Sequence, residues 1–242
     1  MMLKDKGVKV ETLTANQIGI ISDSRYGNAK IETIYNDNIL SNFKKFDVII
    51  VPGFQAVNKL GQITTLGRGG SDLTAVALGC SLKAKRCEIY TDVDGVLTSN
   101  PKVVTKTKLL KNISYNEMLE AATSGANVLH DRSVSLAKKY NLNIKVKNSN
   151  NTKDIGTTVK SNTMEKCKIS ILSNIDNLSK ISIIGNMLLS NNTILENIFS
   201  ILSKENIKLE NISLSETCIN LVVSSEYMHD LINILHKELI LD

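Results

Sequence analysis

The sequence predicts an α/β protein: an incomplete layered domain with a mainly parallel sheet, then a small domain of βαββαβ order. Three observations carry this. Strand-like apolar runs alternate with helical patterns through the first 160 residues. Asp47-Val48-Ile49-Ile50-Val51 is a continuous apolar run closed by Pro52-Gly53, the pattern of a parallel strand covered on both faces. The composition then turns polar at Asn148–Asp154. A turn-rich stretch around Ser161-Asn162-Thr163 reads as the linker to a second unit, residues 166–242.

The elements come in order along the chain. Ile18-Gly19-Ile20-Ile21 reads as a short buried strand. Ser71–Leu82 reads as a helix with Val76, Ala77 and Cys80 on one stripe, and Arg86–Thr91 as the next strand. Ser114–Thr123 is a helix announced by a capping box, Ser114 with Glu117 three residues on. Arg132–Tyr140 is another helix and Asn143–Val146 another strand. In the second unit, Lys168–Leu172 and Lys180–Ile184 read as strands. Thr193–Ser203 places Ile194, Ile198, Ile201 and Leu202 at helical spacing. Strands Lys208–Leu214 and Cys218–Val223 and helix Glu226–Lys237 complete the order.

Composition narrows the function classes. The chain has 242 residues, 42% hydrophobic, with a formal net charge of +5. Its Lys and Arg residues are scattered, with no run of five, so no nucleic-acid footprint is expected. A basic surface also suits anionic substrates. Cys80, Cys87, Cys167 and Cys218 form no C-x-x-C pair and the histidines are distant, so reduced thiols are expected and no metal cluster. No stretch approaches the eighteen or so apolar residues of a membrane span. Met1–Lys6 has no signal-peptide core, so the expected location is the cytoplasm.

The segment Leu66-Gly67-Arg68-Gly69-Gly70-Ser71-Asp72 is the strongest candidate site. Glycines let backbone N–H groups turn toward an anion, and a helix N-terminus adds its dipole. Arg68 supplies a fork for a carboxylate or phosphate. The same spacing also fits a plain tight turn with Ser71 as N-cap. A second motif, Tyr90-Thr91-Asp92-Val93-Asp94-Gly95-Val96, ends a strand. Asp92 there suits a nucleotide or a metal-bound water, or the backbone of its own turn.

Together these segments resemble the aspartokinases. The likeness runs through Val51-Pro52-Gly53-Phe54-Gln55, Ile63–Asp72, Glu88–Val96, Ile113-Ser114-Tyr115 with Glu117–Glu120, and Leu129-His130 with Arg132-Ser133. It covers most of residues 7–159. Lys180–Asp242 resembles an ACT regulatory module, through Ile181–Gly185 and Ser213–Glu216. The resemblance implies transfer of the γ-phosphate of ATP to the side-chain carboxylate of L-aspartate, with Mg2+ bridging the phosphates. It implies that Arg68 holds the α-carboxylate and that Gly69, Gly70 and Ser71 shape the floor between substrate and nucleotide. Thr91, Asp92 and the segment Leu97, Thr98, Ser99, Asn100, Pro101, Lys102 would line the nucleotide pocket, with Asn127 nearby.

The sequence also departs from the family pattern. The usual Lys-Phe-Gly-Gly-Thr-Ser segment does not occur, and there is room for one ACT module rather than two. Gly-Ala-Lys-Val-Leu becomes Gly125-Ala126-Asn127-Val128-Leu129, and Tyr-Thr-x-Asp-Pro-Arg becomes Leu97–Lys102. A family threonine is Leu73, and Ser190-Asn191-Asn192-Thr193 stands at the usual effector turn. The expected function is aspartokinase activity. The alternative is a non-catalytic regulatory or assembly subunit, or an inactive fragment, of an aspartokinase. Self-association, or pairing with a full-length aspartokinase, is expected through the ACT-like unit, which serves an effector or dimerisation alone.

Overall fold

The computed structural model describes residues 2–124, 126, 128–151, 155–161, 170–172, 175–185, 188, 192–215 and 217–241. The chain divides into two units, residues 1–174 and 175–242. The first carries α1 (Met2–Asp5), β1 (Val10–Thr12), α2 (Ala15–Ile18), β2 (Ile20–Ser22), β3 (Ile31–Ile34), α3 (Asp37–Phe43) and β4 (Val48–Ile50). It continues with β5 (Gln55–Val57), β6 (Ile63–Thr65), α4 (Gly70–Ser81), β7 (Cys87–Thr91), β8 (Asn112–Ser114) and α5 (Tyr115–Thr123), then α6 (Asp131–Tyr140), β9 (Ile144–Asn148) and β10 (Thr157–Lys160). The second carries β11 (Leu178–Ile184), α7 (Asn192–Lys204), β12 (Leu209–Ser215), β13 (Cys218–Ser224) and α8 (Met228–His236).

Helix ends obey local chemistry. Ser114 accepts from the Glu117 N–H while Glu117 accepts from the Ser114 N–H, so the expected capping box opens α5. Thr14 and Gln17 do the same for α2, and Gly19 ends that helix in the left-handed region. Ile18 therefore closes α2, and the strand begins only at Ile20; it is shorter than the expected Ile18–Ile21. Asn141 ends α6 left-handed, with Lys138 and Lys139 in the last turn where the helix dipole favours cations.

The first unit has strand orders β1-β4, β3-β2-β5-β6 and β7-β9-β10-β8. Four of its described pairings are parallel and three antiparallel. The sheet is thus parallel in majority and mixed in detail. β4 departs from its expected environment. It pairs in parallel with β1, but Ile50 is 46% exposed, so its faces are not both covered.

Two apolar cores position the site. Val76, Met118, Val134, Ile144, Val146 and Val159 are fully buried in one, each contributing about 1.5–3 kcal/mol. Ile18, Ile20, Ala56, Leu66 and Leu73 lie in the other. α4 serves both, through Val76 and Leu73, which fixes the loop leading into it.

In the second unit the sheet order is β11-β13-β12, all antiparallel. Ile219, Leu221 and Val223 alternate inward along β13 and meet Ile198 of α7 and Leu231 of α8. The other face mixes Ser182, Asn220 and Ser213 with Ile184 and Val222; on it Ser182 donates to Asn220 Oδ1 and Asn220 Nδ2 to Ser213. The described order is βαββα. Of the strand expected at Lys168–Leu172, residues 168 and 169 lie outside the described residues. Ser170–Leu172 belong to the first unit and to no strand. The cause is side-chain and backbone capture there: Leu172 N–H donates to Thr98 O and Ser170 to Glu117. The expected linker residues Asn162 and Thr163, Cys167, Glu216, and Ser190-Asn191 of the effector turn also lie outside the described residues.

Candidate active site

α4 and α6 run side by side in the same direction. His130 lies against Gly69 at their N-terminal ends, and Leu142 against Gly79 at their C-terminal ends. Each helix leads through a short turn into a strand, α4 into β7 and α6 into β9, and these strands pair in parallel. The 12 residues of α4 span about 18 Å. The five of β7 return about 17 Å. The N-termini of both helices and the carboxyl ends of both strands therefore share one end of the layer, where open α/β sheets bind ligands.

The glycine loop sits at that end. Gly69, at φ 68°, is the N-cap of α4, and Gly70 begins the helix. Ser71 is thus inside the first turn, and the simple turn with Ser71 as N-cap does not form. A side chain at position 69 would drive its Cβ into the Cβ and ring of His130, so the site demands glycine for space as well as for backbone. Gly70 N–H donates to Gly67 O and Leu73 N–H to Gly69 O. Ser71 and Asp72 N–H groups have no backbone acceptor among the described residues, as the first helical turn requires. Arg68 is exposed and has neither ion pair nor hydrogen bond among the described residues. The arrangement presents one exposed guanidinium and a turn of N–H donors to solvent, a fit for a carboxylate or phosphate.

Neighbouring groups shape this end. Phe54, at φ 74°, lies over Gly70, and its N–H donates to Thr74 Oγ1. Burial pushes the Asp72 carboxyl above its ordinary value, and nearby His130 pulls it back. His130 caps α6, with Nδ1 2.6 Å from Asp131 Oδ1. Arg132 donates from Nη1 to Leu66 O (2.5 Å) and Asn28 Oδ1 (3.0 Å), and from Nη2 to Ala29 O (2.7 Å).

The second motif closes the ends of β7 and β9. Thr91 donates to Asp92 Oδ1 at 3.0 Å, Ser149 N–H donates to Thr91 O, and Asn148 Nδ2 donates to Asp94 Oδ1. Asp92 is exposed and Thr91 half-buried. Leu97 bridges to Leu109, and Thr98 pairs with Lys108 through backbone and side chain. Ser99 donates to Leu172 O, and Asn100 accepts from Lys102 N–H. Thr98, Ser99 and Asn100 thus shape the loop with their polar groups, while Pro101 and Lys102 are exposed. Asn127 lies outside the described residues. Nearby, Glu88 is held down to about 2 by a hydrogen bond from Tyr90, aided by Lys147 and Arg86.

The two groups of candidate residues share an end of the layer, but among the described residues no hydrogen bond or ion pair joins Arg68–Ser71 to Thr91–Lys102. A cavity of about 660 Å³ lies along α4 and α6 in the first unit, lined by Ile34, Leu73, Ala77, Cys80, Arg132 and Lys139 among others. Among the described residues no group of three or more His, Cys, Asp or Glu gathers for a metal. Among them too, no helix is long and apolar enough to cross a membrane.

Comparison with known proteins decides the lineage. Residues 1–148 match the amino acid kinase family, and residues 181–239 match the ACT domain. The chain belongs to the amino acid kinase family. Within that family its relatives are aspartokinases. The chain is 40% identical over 212 residues to aspartokinase 2 of Bacillus subtilis, covering 87% of the chain and 51% of that protein. It is 48% identical over 160 residues to the aspartokinase of Geobacillus stearothermophilus, covering 66% of the chain and 39% of that protein. E. coli aspartokinase III, solved in complex with aspartate and ADP, superposes with a TM-score of 0.74 at 30% identity. That match covers 92% of this chain and 51% of the other. The chain spans about half the length of the curated relatives it matches.

Sequence reasoning singles out Arg68, Gly69 and Gly70 but misses Arg132 and Asn28 as parts of the loop's support. Arg132 stands in the Leu129-His130/Arg132-Ser133 motif, yet nothing in the spacing connects it to residues 28, 29 and 66. That link exists only once α6 packs beside α4.

Proposed function

We propose that this chain acts in the transfer of the γ-phosphate of ATP to the side-chain carboxylate of L-aspartate. The product is 4-phospho-L-aspartate, on the route to lysine, threonine and methionine. The observation that carries the proposal is Arg68, exposed and without a partner among the described residues, on a glycine loop at the N-terminus of α4. The aspartokinase relatives support the choice of substrate.

A carboxylate is ionised at neutral pH, so no base need remove a proton. The protein's task is to position the acceptor and offset the charge that spreads over the moving phosphoryl group. Arg68 holds the α-carboxylate of aspartate, and Gly69, Gly70 and Ser71 keep the floor low beneath it. Thr91, Asp92 and residues 97–102, with Asn127, line the nucleotide. Asp92, an exposed carboxylate just beyond β7, would be available to a Mg2+ ion carried by ATP, which would supply positive charge against the phosphates. Isothermal titration with L-aspartate tests the site. Weak binding is expected, and Arg68→Ala should weaken it roughly tenfold or more, the value of a charged bidentate contact. Equal affinity in both proteins rejects the role.

A second role, in assembly, is favoured by the second unit. β11 is an edge strand of its three-stranded sheet, and Ile184 and Ile232 are exposed at 79% and 47%. A unit of this size buries little surface alone, and a neighbour along the edge would cover more. We propose self-association, or pairing with a full-length aspartokinase, through this unit. Light scattering of the full chain, with Ile184→Lys as comparison, should show an oligomer that the variant dissociates. Monomers for both, together with no co-purification with a full-length aspartokinase, exclude this role.

A further inference from the structure

We propose that Arg132 is the positioning residue of the carboxylate site: it sets the backbone of the glycine loop so that Arg68 projects toward its ligand. The proposal deepens the carboxylate reading and depends on it only for the identity of that ligand.

Arg132 lies on the second residue of α6, far in sequence from the loops it touches. Its guanidinium reaches two backbone carbonyls and one side-chain amide oxygen at once. Leu66 O and Ala29 O are 2.5 Å and 2.7 Å away, and Asn28 Oδ1 is 3.0 Å away. These belong to different segments. Leu66 is two residues before Arg68, and Asn28 and Ala29 lie in the turn between β2 and β3. The turn is itself pinned to β6, since Ala29 N–H donates to Thr65 O. Arg132 therefore closes a ring of hydrogen bonds around Thr65–Leu66.

The ring also fixes the next residue, Gly67. It lies so close to the turn that a Cβ there would fall 2.8 Å from Gly27 O and 3.2 Å from Asn28 Oδ1. Asn28, held by Arg132, is thus the wall against which Gly67 rests. On the far side of Arg68, Gly69 rests against the His130 ring. His130 and Arg132 both come from the start of α6, so one helix end brackets Arg68 on both sides. The bracket leaves the Arg68 side chain itself untouched and exposed. That is the arrangement for a ligand-binding cation: a fixed backbone beneath a free head group.

The chemistry requires arginine. A guanidinium presents a planar fork whose donors diverge toward several acceptors, whereas a lysine ammonium is a compact point on a flexible stem. Lysine at 132 would retain the charge and lose the three-way span.

The test uses the full chain with Arg132→Ala and Arg132→Lys. Hydrogen exchange at Ala29, Leu66 and Gly70 amides should speed at least about tenfold in both variants, while Ile89 and Val146 amides of the β7–β9 pair stay within about twofold. L-aspartate affinity, by titration, should fall about tenfold or more, with ADP affinity nearly unchanged. Millimolar guanidinium chloride should restore part of the aspartate affinity of Arg132→Ala, and ammonium chloride should not. Unchanged exchange at the three loop amides overturns the proposal. So does an equal loss of aspartate and ADP affinity, which marks a general structural role. If Arg132→Ala does not fold, Arg132→Lys alone carries the exchange and affinity comparison. If the loop loosens but the parent chain shows no aspartate binding, Arg132 still sets the loop and the aspartate reading fails instead.

Discussion

Turnover of the 242-residue chain with L-aspartate, ATP and Mg2+ is expected far below the roughly 1–100 per second of ordinary kinases. The expectation rests on charge. Phosphoryl transfer in this family is governed by cations placed around the moving group, and each one removed costs about a hundredfold or more. Where the family pattern has lysine, this chain has Asn127, and where it has a guanidinium, the chain has Lys102. Lys102 keeps a charge but sits exposed at a turn built by Asn100, which accepts from its backbone N–H. Leu97 replaces an aromatic surface and bridges to Leu109 instead. A coupled assay that follows ADP release settles the matter. Asn127→Lys should raise the rate by at least about tenfold. Turnover in the ordinary range by the parent chain, or no gain in the variant, would falsify the charge account.

The parts of the fold legible in the sequence are those with a strong local signal. The Ser114–Glu117 box announces α5 because two side chains satisfy two orphan N–H groups at fixed spacing. The alternating Ile219, Leu221 and Val223 announce β13 because inward positions must be apolar. β5 and β6 give no signal. Each has three residues, and their connection is set by Asn58, a buried side chain that accepts from Leu60 and Gln62 N–H groups. A buried asparagine in a tight turn looks, in sequence, like any polar loop residue. β4 misleads for the opposite reason. Its apolar run fits a strand covered on both faces, but hydrophobicity states a preference for burial and does not supply the neighbour. Ile50 remains half exposed.

The candidate site divides the same way. Gly67 and Gly69 are legible because left-handed backbone at φ 79° and 68° selects glycine at those positions. Thr98, Ser99 and Asn100 are nominated as pocket lining by their motif, and what the structure adds is that their side chains bond to Lys108, Leu172 and Lys102 and so hold the loop. Residue type alone does not say which way a hydroxyl or amide is turned. Arg132 is hidden because its partners, residues 28, 29 and 66, lie about a hundred and about sixty-six residues away, and only tertiary packing joins them.

Gly156→Ala is expected to destabilise the first unit by about 3 kcal/mol or more, lowering its melting temperature by roughly 6–12 °C. Gly156 has φ 62°, which already strains any residue with a Cβ by about 1–2 kcal/mol. Steric contact costs more than this strain. A Cβ there would collide with Val146 O, a backbone atom of the central strand β9. Backbone in the middle of a sheet cannot swing aside as the tip of a side chain can. β10 would have to move away from β9, against the Thr157–Val146 pairing and the burial of Val159. Thr157 also accepts the Val96 N–H at 2.8 Å, so the shift would reach the loop that begins at Thr91 and Asp92. Gly27→Ala serves as the control. It shares a positive φ, 85°, but nothing lies within 4 Å of its Cβ, so only a conformational cost of about 1 kcal/mol remains. Thermal melts of the three proteins decide it. If Gly156→Ala melts no lower than Gly27→Ala, the close approach of residue 156 to β9 does not hold the two strands in register.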